Sequence, residues 1–192
     1  MILKNSYWVF DSVISEDICK KIIKLGKKQT NKKKAEVGTK QKVNNKIRDC
    51  SVSFFSDKWV YDILNPYLKS ANNSAEWNFD INFCEPLQYC GYKKNEYYKW
   101  HQDTYFTKNH EDIRKLSLSL ALNDNSEYEG GKFQFDLRDH DTGIKRNILH
   151  AKELNKRGTI IVFPSFLTHR ITPVTKGVRH SLVGWFKGPK FR

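Results

Sequence analysis

The sequence predicts an α+β chain in which helices of the first third buttress an antiparallel β-sandwich or open barrel. Three observations lead there. Apolar–polar alternation with a period of two recurs along the chain, with turn residues between the alternating segments. The helical spacings fall early, before most of those segments, which is the order of an α+β chain. And the residues of strongest ligand character, His101, Asp103 and His169, lie on or beside predicted strands, so several strands must present inward-facing residues to one cavity.

Residues 7–10 read as a short strand. Ser15 can cap a helix, Glu16 and Asp17 suit its first turn, Ile18, Ile22 and Leu25 share a face, and Gly26 with the following lysines suits its end. Residues 51–55 alternate as a strand, and a second helix is predicted over 57 to about 65, disturbed at Pro66. Trp77, Phe79, Ile81 and Phe83 alternate with polar residues and predict a half-buried strand. Residues 116–122 alternate too, 133–137 repeat the pattern after Gly130 and Gly131, and 138–157 read as a long polar connection. Residues 158–164 form a buried-strand run and 177–185 a last strand. No internal repeat or linker is evident, so 1–192 reads as one domain, with helical support over about 1–75 and a strand core over about 76–188.

Chemistry concentrates in the run from Tyr92 through Tyr97, Tyr98 and Trp100 to His101-Gln102-Asp103, answered by His169 and Arg179. In a strand, residues two apart share a face, so His101 and Asp103 can converge on one metal while Gln102 points away. His169 must then come from a neighbouring strand. Two histidines and a carboxylate form a facial triad, which binds non-haem Fe(II) on one side and leaves the other side open. Taken singly, His169 reads as a structural histidine, Arg179 as an ion-pair partner, and Tyr92 and Trp185 as core aromatics; the order of all of them together is what carries weight. His180 should face away from Arg179 and is read as structural, and His110, His140 and His150 sit in polar connections.

Composition narrows the setting. With 39% hydrophobic and 14% aromatic residues the chain can bury a core, and no apolar run reaches membrane-span length. The first residues lack the order of a signal peptide. Cys19, Cys50, Cys84 and Cys90 show neither CxxC nor zinc spacing and read as reduced thiols of a cytoplasmic protein. The formal charge is +13, and residues 27–46 alone hold eight lysines and one acid, Glu36. Such a run reads first as a solvated segment and second as a contact for an acidic protein or a nucleic acid. It has no interleaved aromatics for stacking bases.

The combination Tyr92…Tyr98-x-x-His101-x-Asp103, Glu129-Gly130-Gly131-Lys132-Phe133, Gly158-Thr159…Phe163-Pro164…His169-Arg170…Pro173…Gly177-Val178-Arg179, then Trp185, resembles the Fe(II)/2-oxoglutarate-dependent dioxygenases, in particular their prolyl 4-hydroxylase-like branch with its bacterial and viral members. The resemblance covers roughly residues 77–185. It implies a double-stranded β-helix (a distorted jelly roll), iron held by His101, Asp103 and His169, the far carboxylate of 2-oxoglutarate held by Arg179 and Tyr92, and a pocket wall at Trp185. Asn95 stands where the family often has Gly, and Asn tolerates left-handed backbone. Collagen-type members usually carry Lys at the position of Arg179, which makes collagen-like repeats a less favoured substrate. The stretch beginning at Ile47 and Arg48 resembles the region where oxygen-sensing relatives carry a loop that closes over the peptide, which would put the lysines at the mouth of the site.

Charge supports this assignment. Iron at +2, Asp103 at −1, 2-oxoglutarate at −2 and Arg179 at +1 sum to zero, and a neutral cluster can be buried at tolerable cost. The reaction implied by resemblance consumes O2 and 2-oxoglutarate, releases succinate and CO2, and hydroxylates an unactivated C–H bond, with ascorbate as an accessory reductant. A prolyl residue of a protein or peptide, an acidic one suiting the lysine run, is the first substrate expectation. A free amino acid or other small molecule is the second, and oxidative demethylation of nucleic acid, which the basic charge would suit, is the third. The three share one chemistry, so the triad does not separate them.

Overall fold

Alternation along the strands divides the chain into two layers with different tasks. In the computed structural model, residues 3–29, 33–34, 36–37, 42–43, 47–104, 111–137 and 147–191 are described. Most of the basic run over 27–46, together with His110 and His140, lies outside them. Numbering strands of three or more residues, the elements are β1 (Trp8–Phe10), α1 (Glu16–Lys28), β2 (Ser51–Phe55), α2 (Lys58–Ser74), β3 (Leu87–Tyr92), β4 (Tyr97–His101), β5 (Asp112–Ala121), β6 (Tyr128–Gly130), β7 (Phe133–Asp136), β8 (Ile148–His150), β9 (Ile160–Pro164), β10 (His169–Ile171), β11 (Val174–Gly177) and β12 (Arg179–Pro189). The major sheet runs β1-β9-β5-β12-β3-β2 and the minor sheet β8-β7-β10-β4, closed by a two-residue ladder at Arg48–Asp49. Every pairing in both sheets is antiparallel. This is the predicted jelly roll with its helices on one face.

The face of the major sheet turned to the helices carries Leu87, Leu116, Leu118, Leu120, Ile160, Val162, Leu182 and Phe186, which pack with Ile22, Val60, Leu64 and Leu68. A fully buried leucine contributes about 1.5–3 kcal/mol, so this layer anchors the sheet. The opposite face, with Val52, Cys90, Tyr92, Ile161 and Phe163, packs against Phe133, Phe135 and Ile171 of the minor sheet. Ser117 and Ser119 of β5 are also on this inner face, and both are buried. Alternation here separates an apolar interior from a polar one, and neither face is bathed in solvent.

Several elements depart from expectation for identifiable reasons. Ser15 does cap α1, accepting from the Ile18 N–H. Gly26, however, lies inside the helix, because the Tyr89 ring occupies the space of a side chain: a Cβ there would stand 2.3 Å from Tyr89 Cγ. Helix α2 does not stop near Pro66 but runs 17 residues through it. Pro66 is exposed, so the carbonyl it leaves without an N–H partner is on the side water can reach. The alternation of Trp77, Phe79, Ile81 and Phe83 gives only a two-residue ladder, Phe83–Cys84. Left-handed backbone at Glu76 and Asn78 breaks the extension, and Asn72 pins Phe79 through both of its backbone polar groups. The connection over 138–157 contains β8 and a 3-10 turn, Lys152–Asn155. Among the described residues no helix is long and apolar enough to cross a membrane.

Gly26 gives a test in which two effects oppose each other. Helix propensity alone makes Gly26→Ala stabilising by about 1 kcal/mol, whereas overpacking against Tyr89 costs about 1–3 kcal/mol. Urea denaturation should show a net loss of stability. A gain would mean that the Tyr89 contact is looser than described.

Candidate active site

The antiparallel register of β10 against β4 sets His169 directly opposite His101. Strand β4 ends at His101, so Asp103 does not continue the strand as expected from spacing; it lies in the bend just beyond. Its convergence with the histidines comes from anchoring. The Asp103 and Thr104 N–H groups both donate to the Ser165 carbonyl, at 2.9 and 3.1 Å. The Ser117 hydroxyl donates to Asp103 Oδ2 at 2.8 Å and contacts Ser165 Oγ at 2.9 Å. The result brings His101 Nε2 to 3.6 Å from Asp103 Oδ1 and His169 Nε2 to 3.5 Å from Asp103 Oδ2. One ligand atom from each residue lies within 4.8 Å of the others.

Both histidines are set in the ligand form. His101 Nδ1 faces the Lys99 carbonyl at 2.8 Å and His169 Nδ1 faces the Leu167 carbonyl at 2.9 Å. A carbonyl only accepts, so each Nδ1 carries the proton and each Nε2 lone pair is directed at the shared centre. Burial, reinforced by His101, lowers the His169 pKa to about 4, so this imidazole is neutral at physiological pH. Burial alone would raise the Asp103 carboxyl, but the charge of a protonated His169 or His101, together with Arg114, outweighs it and holds the group well below the usual carboxylate range. Two imidazole nitrogens aimed at one point beside an ionised carboxylate are the donor set of a divalent transition metal.

Arg179 opens β12 opposite Tyr92 in register, with its guanidinium 5.8 Å from the Tyr92 ring centroid. Both residues are buried. Arg179 donates to Ser181 Oγ at 3.1 Å and has no carboxylate partner among the described residues. Gly131 keeps this side chain's space clear, since a Cβ there would stand 2.9 Å from Arg179 Cδ. Trp185 faces Ser117 across the β5–β12 ladder, and its buried indole Nε1, like Thr104 Oγ1, has no hydrogen-bond partner among the described residues. A buried cation without an anion among the described residues is what the far carboxylate of a dicarboxylate beside the metal would satisfy. The residues therefore fit Fe(II) with 2-oxoglutarate.

Of the six residues singled out from the sequence, the three ligand residues converge, Arg179 and Tyr92 face each other, and Trp185 stands opposite Ser117, the partner of Asp103. Ser117, Ser165 and Arg114 had no distinguishing signal, and Tyr98 and Arg48 were noted in the sequence without a role of their own at the site. Ser117 and Ser165 looked like the polar half of an alternating strand and a loop residue. Arg114 is stacked 3.9 Å over the Trp185 ring and paired with Glu85, contacts that nothing in its sequence surroundings signals. Tyr98, stacked on His101 at 3.4 Å, is one aromatic in an aromatic run. Arg48 was noted only as part of the stretch that resembles the loop region of oxygen-sensing relatives, and it is buried. Asn95 does adopt the left-handed backbone, at φ 69°.

Comparison with known proteins agrees with the geometry. The model of the 2OG-Fe(II) oxygenase superfamily matches residues 87–187. A PKHD-type hydroxylase of Synechococcus sp. (strain CC9902) is 40% identical over 90 residues, covering 47% of this chain and 36% of that protein. Another, from strain CC9311, is 31% identical over 121 residues, covering 59% and 50%. The matched segment thus spans half or less of those relatives. Among solved structures, a Pseudomonas putida prolyl-4-hydroxylase superposes with a TM-score of 0.72 at 17% identity, over 96% of this chain and 94% of that one. The viral collagen prolyl hydroxylase of Paramecium Bursaria Chlorella virus-1 gives 0.71 at 21% identity, over 96% and 97%. At such identities the likeness is one of fold. The family match takes in more than half of the chain and every residue of the triad, and the chain belongs to the 2OG-Fe(II) oxygenase superfamily.

Proposed function

We propose that the protein hydroxylates a prolyl residue of a protein or peptide, using Fe(II), 2-oxoglutarate and O2 and releasing succinate and CO2, with ascorbate as accessory reductant. The observation that carries this reading is the wall beside Asp103. The Trp185 ring, capped on one side by Arg114, presents an aromatic surface and an indole N–H that lacks an acceptor. A prolyl residue brings an apolar ring to pack there and a carbonyl to accept, with no N–H of its own to satisfy. The likeness to prolyl hydroxylases in fold and to PKHD-type hydroxylases in sequence supports the same choice.

Each residue has a physical task in this reading. His101, Asp103 and His169 hold the metal, which when bound supplies the site where O2 is reduced, 2-oxoglutarate is decarboxylated and the substrate C–H bond is oxidised. Ser117 and Ser165 fix the carboxylate of Asp103 before the metal arrives, so no side-chain search is needed at binding. Arg179 meets the far carboxylate of the cosubstrate with its planar fork, and Tyr92 donates to the same group. Trp185, Tyr98 and the aromatic cluster of Phe133, Phe135 and Phe163 around His169 keep water from the reacting centre.

Three outcomes are expected. Incubated with proline-containing peptides, the iron-loaded protein should add one oxygen atom to proline, seen by mass spectrometry, and His101→Ala should add none; oxygen found only on other residues would replace the prolyl assignment. Arg179→Met should raise the KM for 2-oxoglutarate by about 10–100-fold while leaving Mn(II) affinity in place, and an unchanged KM would put the carboxylate partner elsewhere. Ser117→Ala should weaken Mn(II) binding, followed by electron paramagnetic resonance, by about 10–100-fold. Equal binding would show that Ser165 alone suffices to place Asp103.

A further inference from the structure

The site encloses a second buried guanidinium to which the proposed chemistry gives no task. Arg48 is 5% exposed. It stands opposite Tyr98 in register, at the edge of the minor sheet, with its guanidinium 4.5 Å from the Tyr98 ring centroid. Tyr98 in turn stacks on the ligand His101, so a single aromatic ring separates this cation from the metal centre. Its hydrogen bonds go to Cys50 Sγ at 3.2 Å, Gln88 Oε1 at 3.3 Å and Cys90 Sγ at 3.4 Å. Thiol sulfur is a weak acceptor, and no carboxylate pairs with Arg48 among the described residues.

The surrounding charges do not compensate it. Burial pushes the Cys50 thiol up to about 11 and raises the Cys90 thiol as well, so both are neutral at physiological pH. Arg114 is matched by Glu85. Arg179, Asp103, the metal and the cosubstrate dianion already sum to zero. Arg48 therefore leaves the closed site with one positive charge too many, and an unpaired buried charge is costly. Three of its five N–H groups meet neutral acceptors, two of them weak sulfurs, and a planar oxyanion suits the guanidinium fork better.

We infer that Arg48 receives a carboxylate of the molecule that is oxidised, which makes the substrate an acid. Two sources supply that chemistry: an acidic side chain next to the target residue of a peptide, or the α-carboxylate of a free amino acid. The eight lysines over residues 27–46, immediately before Arg48 in the sequence, give the same sign preference at longer range. The inference rests on the oxygenase site, and on the prolyl reading only for the choice of probes.

The test is isothermal titration of the full chain, loaded with Mn(II) and 2-oxoglutarate, with matched acids and amides: acetyl-Pro-Asp-amide against acetyl-Pro-Asn-amide, and L-proline against L-prolinamide. The acid of at least one pair should bind about tenfold more tightly than its amide or better. Arg48→Gln should bring that ratio close to one, and Arg48→Lys should retain part of it. Preference in the peptide pair assigns the carboxylate to a neighbouring side chain; preference in the proline pair assigns it to a free amino acid. If no acid binds more tightly than its amide, including the case in which none binds, the inference is overturned. It is equally overturned if Arg48→Gln keeps the full preference, or if that variant changes only the demand for 2-oxoglutarate. Should Arg48→Gln fail to fold, the wild-type ratio and Arg48→Lys still decide. Oxygen addition to proline is measured separately, so the prolyl reading and the acid preference can fail independently.

Discussion

The two-residue period of the major sheet is the constraint on which the rest of the molecule depends. On β5, Leu116, Leu118 and Leu120 face the helices while Ser117, Ser119 and Ala121 face the minor sheet. On β3 the same division places Leu87 and Tyr89 outside, and Gln88, Cys90 and Tyr92 inside. On β12, Leu182 and Phe186 pack outward, and Arg179, Ser181 and Trp185 line the cavity. A slip of one residue in any of these strands would exchange its leucines with its functional residues. The apolar packing against α1 and α2 thus fixes the register that aims the chemistry, which is why the helical layer matters to a site it does not touch.

Inside, electrostatics decides which groups are structural and which are left open for ligands. Glu85 and Arg114 satisfy each other, and Arg114 is free to serve as a flat cover over Trp185. Asp103 is ionised and supported by a serine hydroxyl and two backbone anchors. Arg179 and Arg48 have no such match, and neither sits at the surface where water would solvate it. Folding such a cavity costs stability that an apolar interior would not cost. The leucine layer on the other side of the same sheet offsets it.

Much of this was legible in the sequence because metal ligation imposes residue types as well as spacing. The triad could be named from its ligand types and the strand periodicities that located them, whereas Arg179, Tyr92 and Trp185 were named through the family resemblance. What stayed hidden depended on contacts distant in sequence. Ser117 reads as the polar half of an amphipathic strand; that its polar side faces an enclosed cavity follows only from the second sheet. Gly26 looked like a helix end because the signal for a stop and the signal for a close approach by Tyr89 are the same missing side chain. Pro66 looked like a helix breaker because sequence does not reveal that its side of α2 faces water. Arg48 was noted only as part of a loop-like stretch, because its strand ladder with Tyr97 and Tyr98 joins segments distant in sequence.

The anchoring of Asp103 has a mechanical consequence. His101 and His169 hang from paired strands of the minor sheet, whereas the carboxylate is tied to Ser117 on β5 and to Ser165 just beyond β9, both on the major sheet. The three ligands therefore belong to two different layers, and an ion that binds all three acts as a rivet through the sandwich. Any sliding or parting of the layers pulls the carboxylate away from the imidazoles, so loss of the ion and loosening of the minor sheet are one motion. Occupancy at the centre and the width of the cavity around it are tied together by the same few hydrogen bonds.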